Sequence, residues 1–243
     1  MKIQYLNWDT EFFGLKIGKI EIFDENNFDP EKFKKQALDE KYELVYAFKY
    51  GEMLPMQKIS NASLELVDIM LSMSKKFDKA DFIDIPYDFR NELSKGELED
   101  CYYIAEQTSI VSRFYNEPKI GPIKTKELYR RWIDNALNKS YSDGLFILKE
   151  HHKVVGFNLI KTDETEKIGY CSLIGVNPKT KGQGIGKKLW LQSCGYWSNE
   201  KQINNCKVPF SFKNSQSFNF HLKIGFNKIE ETKYIYHFRN TFI

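Results

Sequence analysis

The stretch from Ile174 to Leu189 constrains this chain more than any other. An apolar run ends at Val176, a turn carries glycines at 182, 184 and 186, and an amphipathic helical pattern begins. Glycine lacks the Cβ atom that would block a sharp turn or the close approach of a ligand to the backbone. Successive N–H groups of such a turn point at one spot, and the start of the helix adds positive potential. Strand, glycine turn and helix together read as a site for phosphate or pyrophosphate. Four lysines, at 179, 181, 187 and 188, flank the glycines, which weighs against a mere connecting turn.

Spacing separates the families that use such a turn. A P-loop requires Gly-x-x-x-x-Gly-Lys-Ser/Thr. Here the residue five before Gly186 is Lys181, and Lys187 is followed by Lys188. The dinucleotide fingerprint requires Gly-x-Gly-x-x-Gly inside a βαβ unit. This chain has Gly182-x-Gly184-x-Gly186, far along the sequence and outside any evident βαβ unit. Neither pattern fits.

The rest of the chain reads as α+β with a largely antiparallel sheet, because strands outnumber what a helical bundle allows. Asp29-Pro30-Glu31 predicts a helix start, an Asp cap with Pro at the first helical position, running to about Glu40. Strands are expected at Tyr42–Phe48 and Leu64–Met73. The charged stretch Lys75–Asp81 is the expected domain boundary, which divides the chain into 1–79 and 80–243. Beyond it, strands are expected at 82–85, 145–149, 154–161, 168–176 and near 206–212, with paired strands closing the chain. Helices are expected at 97–105, from a cap at Thr125, from 185 to 197, and from 214 to 224.

Composition excludes several classes. Of 243 residues 42% are hydrophobic, enough for a packed core, so long disorder is not expected. Thirty-six basic and 33 acidic residues leave a net charge of only +3, which does not predict a nucleic-acid binder. The N-terminus carries no apolar leader-like run and reads as mature sequence. No stretch approaches the roughly 18 apolar residues of a membrane span. Cys101, Cys171, Cys194 and Cys206 lack CxxC spacing and read as buried, reduced thiols, which places the expected protein in the cytoplasm. No His, Cys and Asp cluster has metal-ligand spacing, so no metal is expected. His151 and His152 fall in a predicted hairpin turn and are expected to be exposed.

What does fit the glycine turn is the acyl-CoA loop of the GNAT acyltransferases, an Arg/Gln-x-x-Gly-x-Gly/Ala pattern after a strand ending in Val-x-Pro. This sequence resembles it with Val176-x-Pro178 and Lys181-x-x-Gly184-x-Gly186. Lys181 keeps the charge of the usual Arg but loses its fork geometry. A second element of that superfamily is similar: Asn214, Ser217, His221 and Gly225-Phe226, in family order and separation, with His221 where Tyr is usual.

The resemblance implies a GNAT fold, mixed α+β, preceded by a small N-terminal α/β domain that contributes to the acceptor pocket. It implies an acyl-CoA co-substrate held by Lys181, Gly182, Gln183, Gly184, Ile185, Gly186 and Lys187, with Asn214 and Ser217 nearby. Backbone N–H groups of Ile174 and Val176 would meet the acyl carbonyl and the pantetheine arm, and His221 would protonate the leaving thiolate. The Glu base that many relatives carry is missing, since Ile168–Leu173 holds no carboxylate. Tyr170 is a poor base at neutral pH, which leaves solvent, Asp9 or Glu11.

Within the superfamily the chain resembles the dTDP-fucosamine N-acetyltransferase group. The cues are Trp8-Asp9-Thr10-Glu11-Phe12-Phe13-Gly14, Ser112-Arg113-Phe114-Tyr115, Leu128-Tyr129-x-x-Trp132-Ile133 and Tyr234-x-Tyr236-x-x-Arg239. This implies an acceptor amine on a nucleotide-linked amino-deoxy sugar, used for cell-surface polysaccharide. Phe12, Phe13, Arg113, Tyr115 and Asn116 are the expected acceptor contacts, in a monomer or homodimer with neither nucleic acid nor membrane as partner. A protein N-terminus, lysine or small amine is the alternative acceptor. A non-catalytic acyl-CoA binding module is a third reading, because the usual Glu and Tyr are both replaced.

Overall fold

The computed structural model of the protein describes residues 2–82, 84–140 and 142–241. In chain order it begins β1 (Gln4–Tyr5), α1 (Asn7–Phe13), β2 (Ile17–Ile22), α2 (Pro30–Asp39), β3 (Leu44–Tyr50), α3 (Met56–Asn61) and β4 (Leu64–Lys76). There follow β5 (Phe89–Arg90), α4 (Lys95–Thr108), α5 (Gly121–Leu137), β6 (Gly144–Glu150), β7 (Lys153–Asp163) and β8 (Ile168–Val176). The last elements are α6 (Ile185–Tyr196), β9 (Asn205–Ser211), α7 (Ser215–Lys223) and β10 (Lys228–Arg239).

The chain divides into two compact units. The first takes Met1–Ser72, Phe210–Ser215 and Ile229–Ile243, and the second takes Met73–Pro209 and Gln216–Lys228. The cut therefore falls at 72/73 instead of 79/80, and the first unit also claims the C-terminal strand. Local patterning cannot reveal that claim, because the partner of β10 is β3, nearly two hundred residues earlier.

In the first unit β2 and β3 are parallel, joined by α2, and β10 lies antiparallel on β3 from Lys233↔Tyr50 to Arg239↔Leu44. The paired C-terminal strands expected from sequence are thus one long strand with a distant partner. The start of α2 is set as expected: the Asp29 carboxylate accepts from Lys32 N at 3.1 Å and Pro30 opens the helix. Phe33 and Ala37 of that helix pack with Ile20, Ile22, Val45, Ala47 and Phe238 in one core. Tyr236 is fully buried there, and its hydroxyl accepts from Leu54 N at 3.1 Å.

In the second unit β5, β6, β7 and β8 are antiparallel neighbours, and β9 lies parallel to β8. β6 and β7 are joined at His151 and His152, both exposed and both at positive φ, the left-handed pair a tight hairpin needs. Helices cover the two faces of this sheet. A side chain at Gly156 would run into Ile185 and Leu189 of α6, whereas one at Gly175, next in the chain to Gly156's cross-strand partner Val176, would meet Ile104 of α4. Strand residues alternate between faces, so α4 and α6 lie on opposite sides.

Three local expectations differ from the structure. α4 starts at Lys95, earlier than Glu97, because Ser94 and Glu97 form a reciprocal capping box. α5 starts at Gly121-Pro122, so Thr125 is not its cap. It is buried one turn inside, and its hydroxyl donates to Gly121 O at 2.8 Å. The strand expected at 82–85 is a turn at Lys79–Phe82, where Asp78 accepts from Ala80 N, with Ile83 outside the described residues. No helix among the described residues is long and apolar enough to cross a membrane.

Candidate active site

The site is built from the end of β8 upward. Asn177 N donates to Val155 O at 2.8 Å, so residues 177 and 155 form a hydrogen-bonded antiparallel pair. Such pairs alternate with non-bonded ones along the ladder. By the register Phe157↔Gly175 and Leu159↔Leu173, those pairs are the bonded ones. Ile174 and Val176 sit between them and turn their N–H and C=O groups away from β7, toward the other edge of β8. Along that edge β9 pairs with β8 at Gly169↔Cys206 and Tyr170↔Lys207, near the start of β8. The β7–β8 register also shifts by one residue between Leu159 and Ile160, leaving Ser172 as the extra residue of a bulge. The backbone amides of Ile174 and Val176 are therefore placed to meet an extended ligand laid along the edge of the strand.

The glycine turn continues from there. The Asn177 side chain accepts from Lys179 N at 3.0 Å and closes a short turn over Pro178–Thr180. Gly182 and Gly184 adopt φ of +83° and +80°, a left-handed backbone, and both are exposed with nothing within 4 Å of where a Cβ would stand. Gly184 is the cap residue of α6 and has no side chain to offer. The first amides of α6 thus begin at an open glycine corner, with Lys181, Gln183, Lys187 and Lys188 exposed around it. Ile185 is the buried anchor of the turn, 2% exposed. Gly186 serves packing: a Cβ there would stand 3.2 Å from the Phe220 ring of α7. Lys181 Nζ reaches the Gln216 side chain, also of α7, at 3.3 Å.

α7 explains the second sequence element. Phe226 N donates to His221 O at 2.9 Å and Gly225 N to Leu222 O at 3.0 Å, with Gly225 at φ +92°. This is the Schellman arrangement that ends a helix on a left-handed glycine. The His221 and Phe226 rings make its accompanying contact, edge to face at 5.3 Å. The spacing His221-x-x-x-Gly225-Phe226 is what such a helix end requires. Asn214, grouped with the first unit, stands one residue before α7, its N–H donating to Ser211 O at 3.0 Å.

His221 is 2% exposed. Burial pulls its pKa down to about 4, opposed in part by its bond to Ser217. Nδ1 lies 2.7 Å from the Ser217 carbonyl oxygen, so Nδ1 carries the proton and donates it there, which makes Nε2 the acceptor nitrogen of a neutral ring. The Ser217 hydroxyl lies 3.3 Å from the same nitrogen. This environment works against the proton-donor role expected from sequence, because burial resists the ring becoming imidazolium.

The expected acceptor contacts fall in both units. In the first, Phe12 of α1 stacks on Trp8 at 5.0 Å and meets Phe13 edge-on, with Phe13 buried. In the second, Arg113, Tyr115 and Asn116 lie in the turns between α4 and α5, and the Arg113 guanidinium sits 4.1 Å from the Phe114 ring centre. Tyr170 is half-buried and burial raises its pKa, which leaves it no better a base than sequence implied. The four thiols are all free and buried, and burial pushes Cys101 up to about 12 and Cys171 to about 11. Among the described residues no group of three His, Cys, Asp or Glu side chains is arranged to hold a metal.

Comparison with known proteins agrees with this geometry. The family model described as "Acetyltransferase (GNAT) family" matches residues 98–226. A mycothiol acetyltransferase of Amycolatopsis mediterranei is 26% identical over 108 residues, 42% of this chain and 33% of that protein. The chain thus spans only about a third of that relative's length. An uncharacterized N-acetyltransferase of Methanocaldococcus jannaschii is 25% identical over 154 residues, 60% of this chain and 63% of that protein. Among solved structures, a conserved protein of unknown function from Staphylococcus epidermidis superposes with a TM-score of 0.62 at 15% identity, covering 92% of this chain and 84% of that one. That likeness concerns the fold.

Proposed function

The chain belongs to the acetyltransferase (GNAT) family, and from that premise we propose that it transfers an acyl group from an acyl-coenzyme A to the amine of a small molecule. The observation that carries the reading is the pairing of two features of the second unit. One is the open glycine corner at 182–184, which starts α6. The other is the outward-turned amides of Ile174 and Val176 on the adjoining strand. In this assignment the amides of residues 182–187 and the ammonium groups of Lys181 and Lys187 receive the pyrophosphate of the co-substrate. The amides of Ile174 and Val176 bind the pantetheine arm and the thioester carbonyl, whose oxygen gains charge as the amine adds. The new C–N bond forms as the amine nitrogen gives up a proton to solvent, the C–S bond breaks, and the sulfur leaves as thiolate.

At neutral pH a histidine with a pKa near 4 is imidazolium in about one molecule in a thousand. We therefore assign protonation of the thiolate to solvent. His221 and Ser217 take a structural part, ordering the end of α7 behind the loop.

For the acceptor we propose a nucleotide-linked amino-deoxy sugar, supported by the sequence resemblance at Trp8–Gly14 and Ser112–Tyr115 and by Arg113, whose planar fork suits a diphosphate. Incubation with acetyl-CoA and longer acyl-CoAs against a panel of dTDP- and UDP-amino sugars, with small amines alongside, tests both halves by mass spectrometry. An acylated nucleotide sugar is the expected product. Acylation of the small amines alone removes the sugar assignment. Absence of product together with undetectable acetyl-CoA binding in calorimetry removes the enzyme.

A further inference from the structure

The Schellman end of α7 satisfies the carbonyls of His221 and Leu222, and the carbonyl of Ile224, the residue that caps the helix, is met from outside it. Lys75, near the end of β4 and far away in sequence, meets it: Nζ donates to Ile224 O at 2.5 Å. The same ammonium lies 4.3 Å from the centre of the Trp190 ring on α6. A cation at a helix C-terminus is favoured by the helix dipole, and one over an indole face by the ring quadrupole. Gly225 completes the arrangement, since a Cβ there would stand 3.0 Å from Nζ and crowd the ammonium. The glycine serves the turn and also leaves room for the lysine. Trp190 in turn touches Phe226, the residue that packs on His221.

From its other end α7 backs the glycine turn. Phe220 lies against Gly186, and Gln216 accepts from Lys181. A series of contacts thus runs from Lys75 through α7 to the loop at 181–187, so that Lys75 acts on that loop through the helix. We propose that Lys75 is a positioning residue: by capping α7 and lying on Trp190, it fixes α7 against α6 and so holds the acyl-CoA loop in its binding shape.

The consequence for affinity rests on the acyl-CoA reading above, whereas the consequence for His221 does not. Lys75→Met keeps the apolar stem on Trp190 and deletes the ammonium, and Lys75→Arg keeps a cation. Acetyl-CoA affinity by calorimetry, well below the unfolding temperature, should weaken roughly five- to tenfold in Lys75→Met, the loss of one helix-end cation, and largely recover in Lys75→Arg. In parallel the His221 imidazole, followed by NMR, should titrate above its value near 4 in Lys75→Met as the end of α7 loosens, and return in Lys75→Arg. The charge of Lys75 is not among the causes of the His221 shift, so the change reports packing. If Lys75→Met does not fold, Lys75→Gln supplies the same comparison.

An acetyl-CoA affinity and a His221 titration both unchanged without the ammonium overturn the proposal, as does an equal loss in Lys75→Arg. If the native protein itself binds no acetyl-CoA, the acyl-CoA reading fails, and the His221 titration alone still decides the role of Lys75.

Discussion

The protonation of His221 yields a stability prediction with a definite size and sign. The folded ring stays neutral down to about pH 4, whereas an unfolded histidine gains its proton near 6.5. Between those values the unfolded state binds more protons, so stability rises with pH. The contribution is fully present above pH 6.5 and is lost as pH falls through 6.5 toward 4. At 1.36 kcal/mol per unit, the window is worth about 3 kcal/mol, of which about 2 is lost by pH 5.

His221→Phe keeps a ring against Phe226 and removes the titration. It deletes the ring's hydrogen bond to the Ser217 carbonyl, at a pH-independent cost of about 1 kcal/mol. Urea unfolding of both proteins from pH 7.5 to 4.5 should therefore give curves that converge or cross as pH falls, with the native protein losing stability faster. Parallel curves would refute the reasoning, and so would an NMR midpoint near 6.5. The same variant separates packing from catalysis. Removing a general acid typically costs about 10²–10⁴ in rate, whereas a neutral, packed His221 predicts a kcat within about tenfold of native.

Other substitutions address the loop, the strand edge and the acceptor. Gly184→Ala meets open space but forces alanine to φ +80°, at about 1–2 kcal/mol of stability. It should weaken acetyl-CoA at least about tenfold in calorimetry, and undiminished affinity sinks the loop assignment. Gly169→Ala places a Cβ 2.3 Å from the buried Trp197 ring and should cost about 1–3 kcal/mol in chemical denaturation, so a neutral result means that β8 shifts freely. Arg113→Ala should raise the acceptor KM far more than the acyl-CoA KM. Equal changes in the two constants would return Arg113 to its stacking role on Phe114.

Much of the site was legible because its signals are local. Gly182 and Gly184 carry a backbone that few other residues adopt, Asp29-Pro30 caps a helix whatever surrounds it, and His151-His152 bridges adjacent apolar runs. The capping box at Ser94 and Glu97 was equally local and shows that the start of α4 was readable two residues earlier than expected. The Schellman spacing of His221, Gly225 and Phe226 was visible too, although it reads first as a family motif and only then as a helix end.

Other features depend on partners distant in the chain. The pairing of β10 with β3 rests on hydrogen bonds between segments far apart in sequence, and no local pattern specifies them. The direction of the Ile174 and Val176 amides follows from which β7–β8 pairs are bonded, a consequence of register. Lys75 looks like one of several lysines in a charged stretch until the fold brings it to Ile224 and Trp190.

His221 marks the division most clearly. Its place one helical turn before Gly225-Phe226 was set by the sequence alone, because the helix end demands that spacing. Its charge was decided by the tertiary structure, because desolvation depends on what closes over the ring, and here Phe220, Phe226 and the Ser217 carbonyl leave it buried and neutral.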